Sequence, residues 1–286
     1  MERTIRTHDG LTLRGRDWPA SGGRGTIVLV HGLGEHIGRY EHVAASLNEH
    51  GWRVVAFDQR GHGASEGERG RLGAADDLLV DLAPVLDAAH AEAPRPLVLL
   101  GHSMGGTVAA RFVAAGLESP RPGWYRPVDA LVLSSPALET GMSMAQKAML
   151  ATLGPVTPNL AVGNGLKPEG ISRDPAVVAA YVADPLVHDR IAPRLARFIV
   201  DAGDVVRTVA PRWTVPTLLL YAGSDRIVAP SGSAAFAAAA PPGVVRAHVF
   251  PALFHEIFNE PEKAEVLSVL NEWLDTLPAS PERSPR

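Results

Sequence analysis

Short runs of branched apolar residues, each followed by a turn and a stretch of helical periodicity, recur along this chain. Residues 26–30 (TIVLV), 53–57 (RVVAF), 97–100 (LVLL), 130–133 (ALVL) and 217–221 (TLLLY) are too short for helices and carry apolar side chains on both faces. Strands buried on both faces belong to parallel sheets, whose crossovers are helices. Residues 246–250 (RAHVF) read as the last strand, and 11–18 (LTLRGRDW) as an antiparallel edge strand ahead of the alternation. Helical patterns fall between the runs, at 40–50, 74–91, 104–115 and 231–240. In a final helix, Asn259 is expected as the cap, with Pro261 in the first turn and Glu262 reaching back; Val266, Leu270, Trp273 and Leu277 form its apolar stripe. The alternation predicts an α/β fold: a mostly parallel central sheet with helices on both faces.

One segment breaks the rhythm. Residues 137–212 pass without a convincing buried strand, far longer than an ordinary connection. They hold Met142, Met144 and Met149, and a helical piece at 174–185. Insertions at strand ends are where pockets are built, so this segment is expected to cap a site at the sheet edge. The expected organisation is a core at 1–136 and 213–277, a helical cap at 137–212, and a Pro- and Ser-rich disordered tail at 278–286.

Composition narrows the function classes. A net charge of −4 offers no basic face for nucleic acid, and a chain with 0 cysteines forms neither disulfides nor zinc-thiolate or iron–sulfur sites. The opening MERTIRTHDG is polar with no apolar h-region after it, and no run approaches a membrane span. The expectation is a soluble cytoplasmic protein whose membrane contact, if any, is peripheral.

The chemistry concentrates around GHSMGG, residues 101–106. With 28 glycines in 286 residues, a Gly-x-Ser-x-Gly arises by chance in roughly one such chain in seven, so the rest of the chain must decide its meaning. Ser103 stands just past a buried strand and before a helix, the context of a nucleophile elbow, at the carboxyl edge where parallel sheets bind ligands. A serine hydroxyl needs a base, and the base needs an orienting carboxylate. His255 lies in the loop after the last strand, and Asp225 just past the strand before it; Glu139 is a lesser candidate for the acid. The order Ser103, Asp225, His255 is that of α/β-hydrolases. Oxyanion donors are expected from the backbone N–H of Met104, which follows the nucleophile, and of Leu33 in HGLGEH.

Two other readings meet the same residues. Gly32, Gly34 and Gly38 after a strand, with Asp58 about twenty residues on, imitate a dinucleotide fingerprint, but that reading leaves the triad unexplained. A hydrolase-fold protein used only for binding commonly lacks a triad member, and none is missing here. His31, Glu35 and His36 lack regular helical spacing for zinc. No cofactor or metal is expected.

The stretches HGLGEHIGRY, FDQRGHGASEG, GHSMGG, ISRDPAVVAAYVADPLVH, YAGSDRIVAP and FHEIFNEPE resemble bacterial monoacylglycerol lipases of the α/β-hydrolase superfamily over nearly the whole chain. The HGxGEHxxRY and DPLVH stretches are the more specific ones. The resemblance implies release of a fatty acid from a monoacylglycerol, a mobile cap, and glycerol contacts at Glu35 and Arg39; the soft methionines of the cap lead independently to an expected apolar rim that meets lipid surfaces weakly and reversibly. Lysophospholipases and general carboxylesterases share much of the pattern. Glu35 and Arg39 have a second reading as an ion pair that pins the oxyanion loop. Chain-length preference and oligomeric state are not encoded in these motifs.

Overall fold

The computed structural model describes residues 1–21, 23–92 and 96–278. The expected tail, apart from Pro278, lies outside the described residues. The chain opens with β1 (Glu2–Arg6) and β2 (Thr12–Trp18), then alternates β3 (Gly25–Val30), α1 (Glu41–Glu49), β4 (Trp52–Phe57), α2 (Asp77–Glu92), β5 (Leu97–His102), α3 (Met104–Ala114) and β6 (Ala130–Ser134). An irregular helical stretch follows, with α4 (Met144–Leu153), β7 (Val162–Gly163), α5 (Pro175–Ala183), β8 (Arg190–Ile191) and α6 (Pro193–Val209). Strand β9 (Thr217–Ala222), α7 (Pro230–Ala239), β10 (Val245–Phe250) and α8 (Lys263–Leu274) complete it.

The main sheet has 8 strands in the order β1-β2-β4-β3-β5-β6-β9-β10. It is parallel from β4 to β10, and β2 joins β4 antiparallel. The period-2 pattern divides the core into two layers: Val28 and Val30 face a cluster with Leu82, Phe112 and Val206, whereas Ile27 and Leu29 face one with Leu47, Trp52 and Leu270. Helices therefore cover both faces, as the apolar runs require.

Strand β1 was not visible in the apolar pattern. Its sequence, ERTIR, is almost wholly polar, and its pairing with β2 (Glu2↔Arg16 to Arg6↔Thr12) rests on backbone hydrogen bonds. Charged side chains on an edge strand discourage further strand addition. The start of the last helix also differs from expectation. Asn259 ends a 3-10 turn (Ile257–Asn259) and donates to Glu256 Oε2 at 2.9 Å, so α8 begins at Lys263 behind Glu262.

The segment 137–212 holds two kinds of structure. Helix α6 is amphipathic and packs on α3, burying Leu195, Phe198, Ile199, Ala202 and Val206 in the core layer. Gly203 lets α6 lie against the loop after β6, since a Cβ there would meet the Leu138 carbonyl at 2.6 Å. Helix α5 is apolar all round yet has no buried residue. Among the described residues no helix is long and apolar enough to cross a membrane.

Candidate active site

The elbow is built as its glycines suggest. Ser103 joins β5 to α3 at φ 55°, ψ −122°, a left-handed-side conformation rare for a side-chain-bearing residue. A Cβ on Gly101 would lie 2.3 Å from the Gly105 carbonyl, and one on Gly105 would lie 2.2 Å from that of Val30. Both obstacles are backbone, so the turn closes only with glycine at these positions. The Ser103 N–H donates to the Ser134 carbonyl at 2.9 Å, which fixes the elbow to β6.

Ser103 Oγ lies 2.8 Å from His255 Nε2, and His255 Nδ1 lies 2.7 Å from Asp225 Oδ2. The other Asp225 oxygen accepts the N–H groups of Ile227 and Val228, at 2.8 and 3.0 Å. Burial works against ionisation of Asp225, but His255 and these two donors outweigh it and hold its pKa below the ordinary value. Burial likewise opposes a proton on His255, yet the Asp225 carboxylate raises its pKa above that of a free imidazole. His102 does not stand apart: its ring lies 4.9 Å from that of His255, and its Nδ1 lies 3.0 Å from Ser134 Oγ. Burial, then the neighbouring His255, depress its pKa to about 3, so it stays neutral beside the triad.

The oxyanion loop is held from below. His31 Nδ1 lies 2.8 Å from the Gly32 carbonyl, while Nε2 accepts the Gln59 N–H at 2.9 Å. Met104 is the first residue of α3, where an N–H has no intrahelical acceptor. Leu33 lines the cavity beside Ser103.

Glu35 and Arg39 do not line that cavity. Glu35 is buried with both oxygens occupied: Oε1 accepts from the Gly32 N–H and the Tyr40 hydroxyl, each at 2.6 Å, and Oε2 from Arg39 at 2.9 Å. Burial pushes its carboxyl up, but Arg39 leads the groups that hold it at about 2. Arg39 also clamps Glu256 through two hydrogen bonds and lies 4.8 Å from the Tyr181 ring. Glu256 lines the cavity, and Arg39 and Asn259 occupy both of its oxygens. Its position directly after His255 is the sequence signal for it.

The rival motifs are otherwise engaged. Asp58 accepts the N–H groups of Ile37 and Ala64, both at 2.9 Å, and so ties two loops together. The stretch around His188 closes over Gly34, whose carbonyl accepts the His188 N–H at 2.9 Å, so the space a pyrophosphate would need is filled. Glu139 accepts the Ser231 hydroxyl, and His36 pairs with Asp184 at 2.8 Å. Among the described residues, one set, His8, Asp9 and Asp81, could converge on a metal ion, but Arg60 already bridges Asp9 and Asp81.

Two chambers meet at Ser103. One, about 260 Å³, is lined by His102, Tyr181, Asp184, His188, His255 and Glu256 among others. The second, about 130 Å³, is apolar, with Met104, Met142, Ile191, Ile199 and Val228. Helix α5 contributes Tyr181 and Val182 to the first, while Asn164 and Leu166 border both. A wider groove of about 560 Å³ against α6 holds no nucleophile, and its Arg197 is paired with Asp201.

The family model described as serine aminopeptidase, S33, a hydrolase family, matches residues 22–262. The chain belongs to this family. It is 37% identical to a monoacylglycerol lipase of Mycolicibacterium smegmatis over 90% of each chain, and 31% identical to the monoglyceride lipase of Rattus norvegicus over 93% of this chain and 88% of the relative. The crystal structure of Paleococcus ferrophilus monoacylglycerol lipase superposes with a TM-score of 0.82 at 34% identity, covering 92% of this chain and 98% of that one. This is an α/β-hydrolase, an enzyme whose relatives act on lipid esters.

Proposed function

We propose that this enzyme hydrolyses the ester bond of monoacylglycerols, releasing a fatty acid and glycerol through an acyl-enzyme on Ser103. The observation that carries the reading is the meeting of an apolar and a polar chamber at a hydroxyl 2.8 Å from an imidazole. A fatty acyl chain fits the first and a small hydroxylated leaving group the second.

The chemistry follows from the hydrogen bonds. His255 Nε2 takes the Ser103 proton as Oγ attacks the ester carbonyl, and Asp225 holds the imidazole in the required tautomer. The N–H groups of Leu33 and Met104 receive the charge that develops on the carbonyl oxygen. His255 then gives its proton to the departing glycerol oxygen. Water enters the emptied chamber, loses a proton to His255, attacks the acyl carbonyl, and Ser103 leaves with that proton. Glu35 and Arg39 pin the oxyanion loop in this scheme, and Arg39 holds Glu256 at the wall of the alcohol chamber.

The cap comprises residues 137–192, with α6 counted in the core. Of the nine large apolar residues exposed among the described ones, seven lie between Met144 and Val182, including Met144 at 81% and Val156 at 78%. Such a patch suits weak, reversible contact with a lipid surface, from which substrate enters.

A panel of esters with one acyl chain tests the function. Monoacylglycerol should exceed diacylglycerol, triacylglycerol and lysophosphatidylcholine in kcat/KM by about tenfold or more, the range set by losing or adding polar contacts in the alcohol chamber. Preference for the lysophospholipid would overturn the substrate assignment.

A further inference from the structure

Five residues line both chambers: Leu33, Ser103, Asn164, Leu166 and Ile227. An ester bound for attack must lie across this divide, with its acyl chain on one side and its alcohol on the other. Three of the five are apolar and one is the nucleophile. Among the described residues, Asn164 is therefore the one polar residue besides the nucleophile that lines both chambers.

Its orientation is fixed by its own loop. Gly165, at φ +73°, turns the chain so that the Leu166 N–H donates to Asn164 Oδ1 at 2.9 Å, an Asx turn. The Asn164 N–H donates to the Asp189 carbonyl at 2.6 Å, and the β7–β8 ribbon pairs Gly163 with Arg190 next to it. The carbonyl end of the amide is thus committed to the turn. The Nδ2 group carries two protons, and no hydrogen bond within the described residues uses them.

We propose that Asn164 is a specificity-determining residue: its Nδ2 donates a hydrogen bond to the hydroxyl oxygen next to the scissile ester of a polyol monoester. The cap then reads the alcohol as well as covering the acyl chain, and an ester whose alcohol lacks that hydroxyl leaves the amide without a partner. This proposal rests on the monoacylglycerol reading and refines it.

The test compares a monoacylglycerol with the methyl ester of the same fatty acid, in the wild type, Asn164→Ala and Asn164→Ser. Serine retains a side-chain acceptor for the turn but lacks the amide donor. Both variants should lower the monoacylglycerol-to-methyl-ester ratio of kcat/KM by about tenfold, the scale of one hydrogen bond, chiefly through KM. Methyl ester turnover should stay close to wild type. A wild-type ratio in Asn164→Ser with a loss in Asn164→Ala would assign Asn164 to the turn alone and overturn the proposal. Equal losses on both esters would do the same. A wild type that does not favour the monoacylglycerol at all would instead bring down the functional reading on which the proposal stands.

Discussion

Arg39 grips Glu256 through two hydrogen bonds of 2.5 and 2.7 Å, and Glu256 is the residue immediately after His255. The same guanidinium holds Glu35, which accepts the Gly32 N–H of the oxyanion loop. One side chain, 11% exposed, thus spans the loop that would carry the oxyanion donor and the loop that carries the base. Arg39→Met should leave two buried carboxylates facing each other, at a cost of about 3–5 kcal/mol of stability in urea unfolding. Glu35→Ala should lower kcat/KM by similar factors for monoacylglycerols and p-nitrophenyl esters of equal chain length. A loss confined to monoacylglycerols would restore Glu35 to the glycerol end.

Ser103→Ala should abolish covalent labelling by a fluorophosphonate and reduce kcat by about a millionfold, the scale of losing a nucleophile that acts with its base as a unit. Asp225→Asn should reduce it by about 10⁴, through the wrong imidazole tautomer. Near-normal turnover in Ser103→Ala would remove the triad assignment altogether.

The pH dependence has two parts of opposite sign. Burial opposes a proton on His255 but the Asp225 carboxylate prevails, so the midpoint of kcat/KM should lie above the ordinary 6.5, with activity lost as pH falls through it. His255 stabilises the fold fully below pH 6.5, and that contribution is lost as pH rises through its raised value. His188 and His102 work the other way. Burial first, then Arg69 near His188 and His255 near His102, depress them to about 4 and about 3. The unfolded chain binds those protons more readily, so stability should fall as pH drops from 6.5 towards 4. Denaturant midpoints measured across that window check the sign, and a flat profile would count against these neutral imidazoles.

The strands and the elbow were legible because burial on both faces writes continuous apolar runs, and because Gly101 and Gly105 sit where any Cβ would strike backbone. Strand β1 was not, since backbone pairing at an edge leaves no apolar period in ERTIR. Helix α6 does carry the periodicity, with Leu195, Phe198, Ile199, Ala202 and Val206 on one face, but it lies inside a segment whose length and methionines drew attention to a cap. The order Ser103, Asp225, His255 predicted that Ser103 meets partners more than a hundred residues away, because parallel topology brings strand ends to one edge. What Glu35 touches could not be read this way. Its partners Gly32, Tyr40 and Arg39 are close in sequence, yet whether a carboxylate faces inward to a loop or outward to a cavity depends on packing that no spacing encodes.

The cap's apolar surface gives the last prediction. Met142 lines the acyl chamber, whereas Met144 and Met149 are exposed at 81% and 57% on α4. Exposed methionines of this kind have no packing to lose, so Met144→Ser with Met149→Ser should change stability by less than about 0.5 kcal/mol. Removing two large apolar side chains from a surface that dips into lipid forfeits roughly 1.5–3 kcal/mol each at full burial, less at partial depth. Binding to neutral phosphatidylcholine vesicles, followed by sedimentation, should therefore weaken by about tenfold. Hydrolysis of a soluble short-chain p-nitrophenyl ester should be unchanged, because neither side chain lines either chamber. Unaltered vesicle binding in the double variant would mean that α4 is not the face that meets lipid.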